Sequence, residues 1–212
     1  ALAEVGYHDP HSVIASFLMD KRGMDAFVGD GDIMADDRPW AEFIAPKLVY
    51  ARTVHESIAE ILPHVSSPLL HLVSDSITPE ERAALERRVQ SRVQDMHGVM
   101  AFYSGLTLDT AAAEAFMRAL DIDPLNHNAR HYLQIIFDTQ IPQWIRWQDY
   151  ERAKAMIEEA LRYLPDDATP YAFLGDLHWA RGEKQEAAQA YRRHLDLGGK
   201  AEHARERAKI QN

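Results

Sequence analysis

The chain has 212 residues, 46 % of them hydrophobic and 26 % charged, an ordinary composition for a globular protein. Its formal net charge of −10 argues against binding to the phosphate backbone of DNA or RNA, because nothing in the composition offsets the repulsion. The absence of cysteine excludes disulfides, cysteine-based zinc sites and thiol nucleophiles. No apolar run approaches the roughly 20 residues that are needed to cross a bilayer.

The first 50 residues differ in character from the rest of the chain. Residues that favour turns cluster at Gly29–Asp32 and at Asp36–Pro39, and the stretch before them predicts a helix from about Pro10 to Lys21. After residue 50 nearly every stretch has a helical pattern. The predicted organisation is an N-terminal segment (1–50), a helical linker (51–92) and a helical repeat domain (93–212).

The sequence Thr78-Pro79-Glu80-Glu81 predicts the start of a long helix. Threonine caps free backbone N–H groups, proline suits the first helical position, and acidic side chains suit the positive end of the helix dipole. This helix is expected to continue to about Ser104, where a glycine follows.

Three later stretches share one five-point pattern of small and large residues. The second and third stretches are offset by 34 residues, and the first and second by 41. A fixed internal period indicates a solenoid, in which each helix pair buries its apolar face by stacking on the next. The stretches are Ala112, Phe116, Ala119, Leu120, Pro124; Ala153, Ile157, Ala160, Leu161, Pro165; and Ala187, Tyr191, His194, Leu195, Gly199.

These stretches predict three helix pairs and a final polar helix. Either Asn126 or Asn128 begins the second pair, and Thr169-Pro170 begins the third. Gly182 permits the turn inside the third pair. The other predicted helices are Leu108–Asp121, Tyr150–Tyr163, a helix from the turn at Arg181–Glu183 to about Leu197, and Lys200–Ile210.

The third pair resembles the tetratricopeptide repeat family. The matching positions are Tyr171, Leu174, Gly175, His178, Gly182, Ala187, Tyr191 and Leu195. The resemblance covers about residues 93–201, and it implies an all-α fold: an α-solenoid of about three helix pairs with a capping helix, preceded by a short mixed N-terminal segment. His194 and Gly199 depart from the family, which has a small residue and a proline there, and we attribute this to a final repeat on which no neighbour packs.

About seven extra residues in the second pair fall around Gln140 to Trp147. Pro142 is expected to break the helical hydrogen bonding there. Trp144 and Trp147 could anchor a partner if they are exposed, or fill the space between repeats if they are packed. Burial is the favoured alternative, because a short segment rich in indole is more often buried than exposed.

The working surface of such repeats is usually the concave face, which is lined by the first helix of each pair. Helical spacing places a mixture of histidine, asparagine, aspartate and one tryptophan on this face. The resulting candidates for partner binding are Gln94, His97, Asn128, His131, Asp138, Asp176 and Trp179. The alternative is that these side chains are merely solvated.

Metal and cofactor sites are not predicted. His127 and His131 are four residues apart, as zinc ligands on a helix often are, but no third ligand is indicated. His8 and His11 form a similar pair. The acidic residues Asp30, Asp32, Asp36 and Asp37 lack the central glycine and closing glutamate of a calcium loop, so a turn is favoured.

Residues from about 10 to 50 resemble a second family. The run from Asp36 to Pro46 is similar to the end of the catalytic domain in bacterial spermidine synthase-like (polyamine aminopropyltransferase) proteins. The resemblance implies that a nucleotide-binding fold lies upstream and that the chain, which begins with Ala1, is a fragment of a longer enzyme that could be tethered to a membrane.

Two functions follow as hypotheses. The first is a non-catalytic module that binds a peptide, a helix or a neighbouring domain through the concave face, in the cytoplasm and without nucleic acid. The second is the C-terminal regulatory or scaffolding part of a spermidine synthase-like aminopropyltransferase. A third hypothesis is a structural unit that forms a homo-oligomer through the long helix that begins at Thr78.

Overall fold

A computed structural model describes residues 14–15, 17–29, 54–70, 77–104 and 110–210. The run from Asp36 to Pro46 lies outside these ranges, as do His8, His11 and the four acidic residues before Arg38. The chain divides into two compact units, Ala1–Ala129 and Arg130–Asn212. The predicted boundary between residues 92 and 93 falls inside one continuous helix.

The described residues form nine α-helices and no strand, with 3₁₀ turns at Leu62–His64 and Pro68–Leu70. The helices are α1 (Lys21–Val28), α2 (Val54–Ile61), α3 (Pro79–Tyr103), α4 (Thr110–Ile122), α5 (His127–Arg146), α6 (Tyr150–Tyr163), α7 (Thr169–Ala180), α8 (Lys184–Asp196) and α9 (Glu202–Arg207). The prediction of an all-α fold with tetratricopeptide-like helix pairs is confirmed.

The prediction of a helix from Pro10 to Lys21 is wrong over its last residues, while residues 10–13 and 16 lie outside the described ranges. Residues 17–20 are not helical, and α1 starts only at Lys21. The Asp20 carboxylate accepts from the backbone N–H of Gly23 at 2.7 Å, while the backbone N–H of Asp20 donates to Ser66 Oγ at 2.9 Å. Asp20 therefore caps a helix that follows it, which is the position an aspartate favours.

Helices α3 and α4 form the helix pair of the first unit. The predicted cap of α3 is confirmed, since Thr78 Oγ1 accepts from the backbone N–H of Glu81 at 3.2 Å and the Glu81 carboxylate accepts from the backbone N–H of Thr78 at 2.9 Å. The helices approach where Gly98 meets the fully buried Phe116; a Cβ at residue 98 would lie 2.5 Å from the phenyl ring.

Helix α5 begins one residue after Asn126. The side-chain oxygen of Asn126 accepts from the backbone N–H of Ala129 at 3.0 Å, so Asn126 rather than Asn128 is the capping residue. The helix then continues through Pro142 to Arg146, whereas the sequence predicted a break. The fully buried Ile141 beside the proline keeps the chain packed in the helical path.

Helices α7 and α8 form the helix pair of the second unit and repeat the packing of α3 and α4. Gly175 faces the ring of the fully buried Tyr191, and any Cβ at residue 175 would overlap that ring. Gly182 has a φ of 81°, which a side chain would resist, and it connects the two helices as predicted. The predicted span of α6, Tyr150–Tyr163, is also confirmed.

His194 explains both departures from the repeat pattern. It is buried, its Nδ1–H donates to the carbonyl of Ala168 at 2.9 Å, and its Nε2 accepts from the backbone N–H of Ala201 at 3.2 Å. A Cβ at Gly199 would overlap the imidazole. The reason given from the sequence was therefore wrong: α9 packs on this repeat, and His194 and Gly199 together accommodate it.

Helix α9 is shorter than the predicted Lys200–Ile210, but it has the expected position. Ala204 and Ala208 pack on Ala187 and Tyr191 of α8. No helix in the described ranges is long and apolar enough to cross a bilayer.

Candidate functional site

Asp176 lies on α7 and receives three donors. Its Oδ1 accepts from the Tyr191 hydroxyl at 2.7 Å and lies 3.3 Å from Nη1 of Arg207 and 3.1 Å from Nε2 of His203. Two of these donors come from α9. The predicted binding residue Asp176 is therefore already engaged by the chain's own C-terminal helix.

Trp179, one turn further along α7, contacts the same arginine. The guanidinium carbon of Arg207 lies 4.3 Å from the centre of the indole, and its Nη1 donates to the Tyr191 hydroxyl at 2.8 Å. Burial, followed by the bond to Asp176, raises the pKa of Tyr191 well above its ordinary value. The phenol therefore stays protonated and donates to Asp176 while it accepts from Arg207.

His131 and Asp138 lie two turns apart on α5, and both are exposed. Burial of part of its surface, followed by the charge of Asp167, raises the pKa of Asp138. Asp167, just before α7, accepts from Gln134 of α5 at 3.0 Å. This part of the second unit thus brings two carboxylates together without a counter-ion between them in the described chain.

The predicted residues of the first unit have different surroundings. Gln94 accepts from Nε of Arg118 on α4 at 3.1 Å, so it is directed towards the second helix of its own pair. His97 is exposed. The Asn128 amide donates to both carboxylate oxygens of Asp95, at 2.9 and 2.8 Å.

Asp95 is the ionisable residue that the sequence analysis did not identify in the first unit. It is 7 % exposed on α3. Burial raises its pKa to about 6, although the hydrogen bond from Asn128 and the charge of Arg92 act in the opposite direction. The hydrophobic pattern gave no signal for it, because an aspartate at a helical position is ordinarily assumed to face solvent.

A solvent-open groove of about 570 Å³ lies between α7 and α8. Tyr171, Leu174 and Ala190 provide its apolar lining, and Glu186 and Arg193 are among its charged residues. The guanidinium of Arg193 lies 5.7 Å from the Tyr171 ring centre. Within the described ranges, no group of three His, Asp or Glu side chains could hold a metal ion.

Arg207 and His203 were also missed from the sequence. The analysis predicted a polar helix there, but residues 31 and 27 positions after Asp176 carry no periodic signal of contact with it. The pairing depends on how α9 turns back over α8, and that is set by His194 and Gly199.

Residues 147–202 match the model of the tetratricopeptide repeat family. No curated protein and no solved structure gave a match to the chain. The matched range contains the α7–α8 pair and ends at the start of α9. Stacked repeats of this kind present extended surfaces to protein partners. The resemblance of residues 10–50 to spermidine synthase-like proteins has no support from these comparisons and stays a prediction.

Proposed function

We propose that the chain is a protein–protein interaction module that binds a peptide, a helix or a neighbouring domain through the first helices of its repeats. The repeat match and the α7–α8 packing support such a module. Of the predicted set, Gln94, Asn128, Asp176 and Trp179 already contact other side chains of the chain. His131, Asp138 and His97 are the exposed members.

The observation that carries this proposal is the exposed surface of α5. The Asp138 carboxyl lies close enough to Asp167 for the two charges to interact, and burial also disfavours its charged form. A cationic side chain from a partner would relieve this repulsion, because an opposite charge at close range favours ionisation. We therefore expect the partner to place a basic residue against Asp138, with His131 at the edge of the contact.

A peptide array tests the proposal with the intact chain. The wild-type chain is expected to enrich a defined set of basic peptides, and Asp138→Lys is expected to lose that set, since a like charge replaces an attractive one. Glu158→Lys makes the same charge change at an exposed position of α6, the second helix of its pair, and should retain it. An array without enrichment, or enrichment that is indifferent to Asp138→Lys, would contradict the proposal.

A second candidate function rests on the run from Asp36 to Pro46. In this proposal the same surfaces contact an upstream catalytic domain of a spermidine synthase-like protein. A glycine-rich nucleotide-binding sequence preceding Ala1 in the reading frame would support it. A start codon directly before Ala1 would contradict it.

A further inference from the structure

The contacts of Arg207 have the chemistry of an arginine-binding site. A carboxylate (Asp176), an indole face (Trp179) and a phenol (Tyr191) surround one guanidinium group at 3.3, 4.3 and 2.8 Å respectively. Arginine suits such a site better than lysine, because its planar guanidinium stacks on an aromatic ring while its edge donates hydrogen bonds. We call Asp176, Trp179 and Tyr191 the arginine site.

Two of the three residues of the site hold each other in place through a bond that does not involve Arg207. The hydroxyl of Tyr191 on α8 donates to Asp176 on α7 at 2.7 Å, across the α7–α8 pair. Gly175 adds to this rigidity because its lack of a side chain lets α7 approach the Tyr191 ring. A preorganised site loses little freedom when it binds a ligand.

The helix that fills the site is weakly held. α9 has six residues, and its N-cap residue Ala201 makes no side-chain capping hydrogen bond. Isolated helices shorter than about 12 residues are marginal in water, so α9 depends on its contacts with α8. The Arg207 side chain is 30 % exposed and that of Asp176 32 % exposed, and ion pairs at such accessibility contribute little.

Other contacts also hold α9 near the site, and one of them reaches it: His203 Nε2 lies 3.1 Å from Asp176 Oδ1. The remaining contacts lie outside the site. Arg192 donates to the carbonyls of Ala208 and Ile210, at 3.0 and 2.6 Å, and His194 accepts from Ala201. Both contacts use backbone atoms at the two ends of the segment. They raise the local concentration of Arg207 at the site, and a competitor must overcome that advantage.

We propose that the arginine site binds an arginine on a helical segment of a partner protein, and that Arg207 competes with the partner for it. The inference rests on the proposed function, since it names the partner chemistry for two residues of the same surface. The geometry of α9 defines the partner's pattern. Ala204 packs on Tyr191 and Arg207 enters the site three residues later, so the partner helix carries a small residue and then an arginine at i+3.

The experiment uses the full chain and a fluorescently labelled synthetic peptide of residues 200–212 as the probe. In the Arg207→Ala chain the guanidinium is removed, and of the α9 side chains that contact Asp176 only His203 remains. The peptide is expected to bind at least about tenfold more tightly than to wild type, because the apparent affinity rises with the fraction of chains whose site is free. Arg205→Ala is the matched control; it removes an exposed arginine of the same helix and should behave as wild type.

Variant peptides then test the chemistry. A peptide with Arg207→Lys is expected to bind about tenfold more weakly, and one with Arg207→Ala still more weakly, since lysine cannot stack and donate together. Equal binding of the three peptides would overturn the proposal. So would equal binding of the original peptide to the wild-type and Arg207→Ala chains.

Further measurements separate the remaining outcomes. If Arg207→Ala lowers the melting temperature so far that the chain is unfolded at the assay temperature, Arg207→Lys serves as the second variant, with a smaller gain expected in the same direction. Sedimentation that shows wild-type dimers through exchanged α9 helices would overturn the partner assignment in favour of a second copy.

The wild-type array distinguishes the two proposals. If the wild-type chain enriches no peptide while the Arg207→Ala chain still binds the labelled peptide, the proposed function is removed and only an intramolecular arginine site is left. In the Arg207→Ala chain, the array should also enrich peptides that have a small residue three positions before an arginine. Enrichment without that pattern would overturn the inference while the proposed function stands.

Discussion

Asp95 is a buried carboxyl group whose folded-state pKa of about 6 lies above the value of about 3.9 in an unfolded chain. The folded state therefore holds the proton more tightly. The stability that this provides is complete below about pH 4 and is lost as the pH rises through 6. Asp95 thus makes the folded chain less stable at pH 8 than at pH 5.

We predict that the wild-type free energy of unfolding is higher at pH 5 than at pH 8 by about 1 kcal/mol from this group, by proton linkage. Asp95→Asn should lack that increment and be more stable than wild type at pH 8. Denaturant titrations at both pH values measure it. Asp166→Asn, at an exposed position, is the control, and parallel pH profiles for wild type and Asp95→Asn would contradict the assignment.

His194 and Gly199 are predicted to be energetically coupled. Gly199→Ala introduces a methyl group that overlaps the imidazole, and such overpacking costs about 1–3 kcal/mol. In a His194→Ala background the same change should cost much less, because the ring is gone. A double-mutant cycle from denaturant unfolding measures the difference, and additive costs would show that the two residues are independent.

Helix α3 begins at a capping box, which gives a prediction at the scale of one element. Thr78→Ala removes the acceptor for the backbone N–H of Glu81, so we expect a loss of about 1 kcal/mol in unfolding free energy. Thr139→Ala in α5 is the control: its hydroxyl bonds back to the carbonyl of Ile135, which does not stabilise a helix. Equal effects would contradict the role of the cap.

Element boundaries were predictable where local chemistry decides them. Thr78 and Pro79 located the start of α3, Thr169 and Pro170 located the start of α7, and the repeated pattern of small and large residues located α6. Pro142 was misleading, because tertiary packing around Ile141 keeps α5 helical despite the missing N–H donor. The rule that proline breaks a helix uses only the local sequence, so it cannot take that packing into account.

The candidate site was only partly predictable for a related reason. Asp176 and Trp179 follow from the repeat register, whereas Arg207 reaches them only through the path of the chain around His194. The first pair cannot be aligned with the α7–α8 pair at a single offset. The segment from Gly98 to Phe116 is two residues longer than the segment from Gly175 to Tyr191, so positions predicted on α3 from its second helix are shifted by two residues. Because of this shift, Gln94 accepts a hydrogen bond from Arg118, and the Asp95 carboxylate accepts one from the Asn128 amide.

At the scale of the whole molecule, α9 covers the last apolar face of the second unit. A chain that ends at Lys200 would expose Tyr191 and Ala187, together with the partly buried Leu195. We predict increased binding of a hydrophobic dye and concentration-dependent association, because the exposed apolar face of an uncovered terminal repeat binds other apolar surfaces. A chain that lacks only residues 211–212 is the control. Unchanged dye binding after the longer truncation would show that α9 is not a cover.

The extension of α5 past Pro142 has a consequence for chemical labelling. Trp147, just beyond its end, is 55 % exposed, whereas Trp144 lies beneath the guanidinium of Arg152 at 4.8 Å and Trp179 beneath that of Arg207. Among these three indoles, limited oxidation with N-bromosuccinimide should modify Trp147 first, as peptide mapping by mass spectrometry would reveal. Among the indoles of the described ranges, Trp147 thus offers a selective site for labelling in a protein that has no cysteine.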